Sequence, residues 1–231
     1  FAARQDHSNL QILADYVIQR LYPHLQQDEN PYLSLLENVI ERQAKLIAQW
    51  MQIGFIHGVM NTDNMNVSGE TIDYGPCAFM DAFDPLKTFS SIDCQGRYAY
   101  ANQASMAHWN VTRFAETLLP LLDDDQEQAI AKARSALDTF AAHHQAEVDK
   151  LFTAKIGIEG DGADDLQLVE TLLAAMSAGN ADFTLVFRHL PDALANDNDS
   201  GDGQVIELFD QPQAITAWLT DWRARLPKSE R

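Results

Sequence analysis

What most constrains this chain is a break in its periodicity. On both sides of residues 55–76 apolar residues recur at helical spacing, but within FIHGVMNTDNMNVSGETIDYGP that period disappears. Upstream, Leu10, Leu13, Val17 and Leu21 form one stripe, opened by a Ser8/Gln11 capping box and ended by Pro23. Asn30-Pro31 opens a second helix with Leu35, Leu36, Val39, Ile40, Leu46, Ile47, Trp50 and Met51 on its apolar face, and Gly54 stops it. Downstream, one stripe runs through residues 107–121. Another joins Ala133, Leu137, Phe140, His144, Val148 and Leu151, and a third joins Leu166, Val169, Leu172, Leu173 and Met176. Asp182 suits the cap of a short helix, residues 195–203 (ANDNDSGDG) read as a mobile acidic loop, and Pro212 opens a last helix. The sum is a mainly α fold with one small β-hairpin, strands near 65–67 and 70–73 around a Ser68-Gly69 turn.

The broken stretch holds the chemistry. His57 is followed seven residues later by Asn64, and then, beyond the expected hairpin, by Asp73-Tyr74-Gly75. Kinase-like enzymes use that order: a catalytic loop H-R-D-x-x-x-x-N, a short hairpin, then D-F-G. An antiparallel hairpin brings Asn64 and Asp73 near each other, so an amide oxygen and a carboxylate converge on a common cleft. A hard cation favours such oxygen ligands. Val59 stands where kinases keep their base and can neither accept a proton nor orient a hydroxyl. Asp63, next to Asn64, is the acid that can take that role. The competing reading is a solvated loop whose Asn and Asp side chains satisfy turns.

Charge narrows the partners. With 34 acidic and 16 basic residues the net charge is −18, which opposes binding to a phosphate backbone, so no nucleic-acid partner is expected. No apolar run approaches the ~20 residues of a membrane span, so no membrane partner is expected either. Two cysteines, Cys77 and Cys94, are too few for a disulfide scaffold and fit a reducing compartment. Cys77 suits a small core thiol and Cys94 an exposed loop. Asp81 and Asp84 suit solvated loop acids, Asp123 to Asp125 suit a helix N-terminus, and Trp218 and Trp222 suit core. His143 and His144 point about 100° apart on a helix, which opposes a shared metal.

The stretch HGVMNTDNMNVSGETIDYGP, continued by FMDAFDP and QGRYAYANQ, closely resembles the selenoprotein O family of protein adenylyltransferases; FAAR at the start and ADFTLVFRHL also look like it. The resemblance implies a protein-kinase-like C-lobe, with core residues 1–122 and a helical extension at 123–231. It implies transfer of AMP from ATP to Ser, Thr or Tyr hydroxyls of proteins, with Mg²⁺ or Mn²⁺, nucleotide and protein substrates as partners. By motif, Asp63 corresponds to the catalytic base, and Asn64 and Asp73 to the metal ligands. The alternatives are UMP transfer from UTP, or an inactive pseudokinase-type binding module. The family's nucleotide-binding lobe, with its Lys-Glu pair, glycine-containing loop and arginines, is expected to precede this chain. No cofactor-gripping residue of that kind is identifiable here, so the chain alone is expected to be inactive. A cytoplasmic location is implied for a bacterial member, a mitochondrial one for a eukaryotic member.

Overall fold

The computed structural model describes residues 1–160, 162–195 and 200–226. It is mainly helical. The chain divides into two compact units, each assembled from separate segments: residues 1–47, 59–74 and 103–145 in the first, and 48–58, 75–102 and 146–231 in the second.

The first unit is built on three helices: α1 (His7–Leu21), the first part of α2 (Pro31–Gln52) and α3 (Gln103–Leu122). The cap of α1 is Asp6, whose carboxylate accepts from the Asn9 amide, so the helix starts two residues before the expected Ser8 box. The acid is the stronger acceptor for an orphan N–H at a positive helix end. Asn30 caps α2 as expected, accepting from the Leu33 amide at 3.0 Å, and its own amide donates to the Leu122 carbonyl at 2.8 Å. Leu35, Leu36, Val39 and Ile40 are buried, as their spacing requires. Asp125 accepts from the Glu127 and Gln128 amides and so opens α4 (Gln126–Leu137).

The stripe from Ala133 to Leu151 is not one helix. It is interrupted at Asp138-Thr139, after which α5 (Phe140–Lys155) begins. There the bonding tightens: both the amide and the hydroxyl of Thr139 donate to the Ala136 carbonyl. No Gly or Pro marks the break in the sequence.

The second unit holds a two-stranded antiparallel sheet, β1 (Phe55–Ile56) with β2 (Ala78–Phe79), in the register Phe55 to Phe79 and Ile56 to Ala78. Its helices include α6 (Ala163–Ala178), α7 (Phe183–His189), α8 (Asp192–Ala195), α9 (Ser200–Ile206) and α10 (Pro212–Arg225). Asp182 caps α7 as expected, accepting from the Leu185 amide. The tryptophans of α10 are core: Trp218 and Trp222 stack at 5.5 Å, and their indole N–H groups donate to the carbonyls of Leu168 and Ile156. Of the expected acidic loop, residues 196–199 lie outside the described residues. From Ser200 the chain is helical instead, because Val205 is fully buried in this core and Asp202 pairs with Arg223 of α10. Among the described residues no helix is long and apolar enough to cross a membrane.

Candidate active site

The catalytic-loop segment enters from β1 at His57. This imidazole is fully buried and stacks on Trp50 at 5.3 Å, with Phe55 edge-on to it, so its role in the structure is to anchor the loop's start. Gly58 follows with φ 86°, and a Cβ there would come within 3.0 Å of the Pro76 carbonyl oxygen. Only glycine has that backbone freedom and leaves that space. The residue after His57 and the residue after Asp73-Tyr74-Gly75 are therefore in direct backbone contact. Two motifs eighteen residues apart are closed on each other, counting from Gly58 to Pro76.

Residues Thr62–Asn64 form a single 3₁₀ turn that carries Asp63 exposed and Asn64 half-buried. The Asn64 side-chain NH₂ donates to the Val59 carbonyl at 3.0 Å. That bond assigns the amide's orientation and leaves its oxygen as the group able to accept or ligate. Val59 thus enters the site through its backbone, which needs no particular side chain.

The expected hairpin is reduced to one antiparallel bridge, Met65 to Thr71, around a turn at residues 66–69; the sheet of this fold is β1–β2 instead. The physical reason is competition for carbonyls. The Tyr22 hydroxyl donates to the Val67 carbonyl, the Gln43 amide to that of Asn66 at 2.6 Å, and an Arg42 N–H to that of Ser68 at 3.1 Å. Tyr22, which follows α1, and Arg42 and Gln43 of α2 thus hold carbonyls that a longer ladder would have used. Arg42 also lies over the Tyr22 ring at 4.2 Å, and burial pushes the Tyr22 phenol above its ordinary pKa, which keeps it a donor. From α3, Asn110 donates to the Met60 carbonyl at 3.0 Å and to the Met65 sulfur.

Because the bridge is antiparallel, Asn64 and Asp73 leave it at the same end, one residue before Met65 and two after Thr71. Asp73 is exposed and has φ 55°. A non-glycine residue in the left-handed region is uncommon and clusters at functional sites, though Asp tolerates it better than most. Asp63, Asn64 and Asp73 all belong to the first compact unit. Among the described residues no three His, Cys, Asp or Glu side chains form a group able to hold a metal. An amide oxygen and one carboxylate do suit the hard-cation chemistry expected here, provided nucleotide oxygens and water complete the shell.

Tyr22, Arg42, Gln43 and Asn110 were absent from the sequence expectation. The signal was present for two of them: Gln43 and Asn110 are polar residues on otherwise apolar helical faces, and both are buried. Of the other residues weighed, the Asp84 carboxylate accepts from the Leu86 amide in a turn, and the His144 ring stacks on Phe140. Both cysteines are free, Cys94 exposed and Cys77 only half-buried rather than core.

Comparison with known proteins bears on the whole chain. A family model described as protein adenylyltransferase SelO matches residues 1–231. The chain is 55% identical over 228 residues to a protein nucleotidyltransferase YdiU of Rhizobium etli, covering 99% of this chain and 45% of that protein. It is 54% identical over 228 residues to the protein of that name from Rhizobium johnstonii, with the same coverage. To the one from Rhodopseudomonas palustris it is 52% identical over 230 residues, covering 100% of this chain and 46% of that protein. The chain spans about half the length of the curated relatives it matches.

Proposed function

The chain belongs to the protein adenylyltransferase SelO family, and from that membership we propose that it forms the kinase-like C-lobe of an enzyme that transfers AMP from ATP to protein hydroxyls. The observation that carries this reading is the closure of the two motifs. The Gly58–Pro76 contact and the Met65–Thr71 bridge hold the ends of the HGVMNTDN and DYG segments together, with Asp73 in a backbone conformation that asparagine, aspartate and glycine favour.

In the proposed reaction a Ser, Thr or Tyr hydroxyl oxygen of the target attacks the α-phosphorus of ATP. The new oxygen–phosphorus bond forms as the bond to the β-phosphate's bridging oxygen breaks, and pyrophosphate leaves. Asp63 accepts the hydroxyl proton. The Asn64 amide oxygen and the Asp73 carboxylate would hold Mg²⁺ or Mn²⁺, which when bound offsets the triphosphate's negative charge. The chain's own charge of −18 makes that offset necessary. The side chain of Val59 takes no part, which disfavours an ordinary kinase.

The test uses the full-length protein with labelled nucleotide. Asp63→Ala and Asp73→Ala are each expected to lower transfer by a factor of about 10² or more, within the usual range for general base and electrostatic contributions, while circular dichroism stays unchanged. The mass added to the target separates AMP from UMP and from a phosphoryl group. Near-parental turnover in Asp63→Ala removes Asp63 from the mechanism, and absence of any added mass favours a binding module.

A further inference from the structure

Beside the 3₁₀ turn that carries Asp63 and Asn64, within the first unit, a cavity of about 270 Å³ lies between α2, the loop and α3. Thr62 and Met65, the residues that flank Asp63-Asn64 in the chain, both belong to its wall. The cavity therefore begins one residue before the proposed base and one residue after the proposed metal ligand. Thr62 and Asp63 are both exposed, so the wall reaches the surface at the turn itself.

The rest of the wall is largely apolar. Val39 of α2 and Val111 and Phe114 of α3 join Met65 there. An apolar cavity of ~150 Å³ already holds a benzene ring, so this one has room for a large aliphatic or aromatic side chain. Of the described residues that line it only Arg113 is charged, and Glu116 offsets it at 2.7 Å. A charged guest would lose its hydration here without gaining a free counter-ion. A basic guest would face Arg113, and an acidic one would stand beside the Asp63 turn in a chain of net charge −18. Such walls favour an uncharged apolar guest.

The transfer reaction itself supplies a source for that guest. A target hydroxyl that gives its proton to Asp63 must come within about 2.6–3.2 Å of the carboxylate. An extended target segment advances roughly 3.3 Å per residue, so its neighbouring side chains pass the cavity. We propose, resting on that reaction, that the cavity is a specificity pocket for a large apolar side chain, Leu, Ile, Met or Phe, within about three residues of the modified hydroxyl in the target protein. The guest holds the segment by taking apolar surface out of water, and so positions the hydroxyl against Asp63.

The test incubates the full-length protein with a bacterial protein extract and labelled ATP, with UTP in parallel, and locates the modified hydroxyls by mass spectrometry. Large apolar residues are expected to be enriched near those hydroxyls over the unmodified ones of the same proteins. In the best-labelled target, replacing that residue by alanine should lower kcat/KM about tenfold or more. Thr117→Met fills part of the cavity from a half-buried wall position and should remove most of this difference between the two targets. Thr117→Val loses the same hydroxyl bond to the Phe114 carbonyl without adding volume, and should keep the difference. A merely structural effect would move both variants alike. No modified hydroxyl with either nucleotide ends this proposal together with the transfer reading. Modified hydroxyls without the enrichment, or an alanine penalty that Thr117→Met leaves intact, end this proposal alone. If that variant does not fold, a crystal structure of the full-length protein with a peptide from the target decides. An apolar side chain of the peptide in the cavity supports the pocket; one outside it, or a side chain of the protein's own filling it, overturns it.

Discussion

Gly58→Ala and Gly75→Ala form a matched pair, one glycine from each motif, with opposite expected outcomes. Gly58 lies at φ 86°, and an added Cβ would stand 3.0 Å from the Pro76 carbonyl oxygen and 3.1 Å from its Cγ. The left-handed backbone alone costs an alanine roughly 1–2 kcal/mol. Neither neighbour is the far end of a flexible side chain, so the crowding adds on the order of 1 kcal/mol, the low end for overpacking. We therefore expect Gly58→Ala to lose about 2–3 kcal/mol, by the sum of those two terms. At Gly75 a Cβ would meet nothing within 4 Å, and the backbone is not left-handed. Gly75→Ala should stay within about 0.5 kcal/mol of the parent, as uncrowded surface substitutions do. Urea unfolding of the three proteins measures both, with the slope of each transition checked for a change in the denatured state. If Gly58→Ala is as stable as the parent, or if the two variants fall equally, the argument that these motifs are closed by a glycine contact is wrong.

Three further outcomes follow from particular residues. Removing the α4 cap with Asp125→Ala should cost about 1 kcal/mol, seen as a lower midpoint in chemical unfolding. Burial against Phe183 and Phe187 pushes the Lys155 ammonium down to about 8 from 10.5. Between those values the unfolded chain binds the proton and the native chain does not, so stability should rise with pH across that window. Partial exposure, the ring faces and the Gln52 carbonyl that accepts from Lys155 reduce the full effect to about 1–2 kcal/mol. Lys155→Met should flatten that rise in melts run at about pH 7 and pH 9.5, and an unchanged slope would exonerate Lys155. Finally, the 231-residue chain alone should bind ATP and Mg²⁺ with a Kd on the order of millimolar or weaker, because no residue in it is identified as gripping the phosphates. Calorimetry reads this, and micromolar binding would mean that the nucleotide site has been misassigned.

Where the chain carries punctuation, the sequence was readable. Pro23, Asn30-Pro31, Asp182 and Pro212 bound helices as their capping chemistry requires. The apolar face of α2 is buried as spaced, but in α1 the buried face is Leu10, Ala14 and Ile18, and Leu13 of the expected stripe is exposed. The interruption at Asp138-Thr139 was not readable, because no Gly or Pro marks it and the apolar spacing stays almost in phase across it. The hairpin was overestimated for a different reason. The Ser68-Gly69 turn is real, but strand length depends on whether neighbouring carbonyls are free, and that was decided by Tyr22, Arg42 and Gln43, up to 45 residues away. The sequence positions of Asp63, Asn64 and Asp73 suggested one site. The Gly58–Pro76 contact that closes it is tertiary and has no local signature beyond the glycine itself.

The clamp on residues 66–68 has a consequence for how this loop tolerates change. Tyr22, Arg42 and Gln43 grip main-chain oxygens, which every residue type supplies. The gripped positions are therefore interchangeable as far as the grip is concerned, while the gripping ones are not. In a saturation-mutagenesis map scored by activity, positions 22, 42 and 43 should stand out as intolerant even though they touch no reacting atom. Most side chains at position 67 should be replaceable, whereas position 66 is held in addition by its own side chain, whose oxygen accepts from the Ser68 amide at 3.1 Å. Fidelity at the loop would then be stored largely in the elements that grip it rather than in the loop's own letters, so an engineer could rewrite residue 67 to alter what the surface meets without loosening how the loop is held.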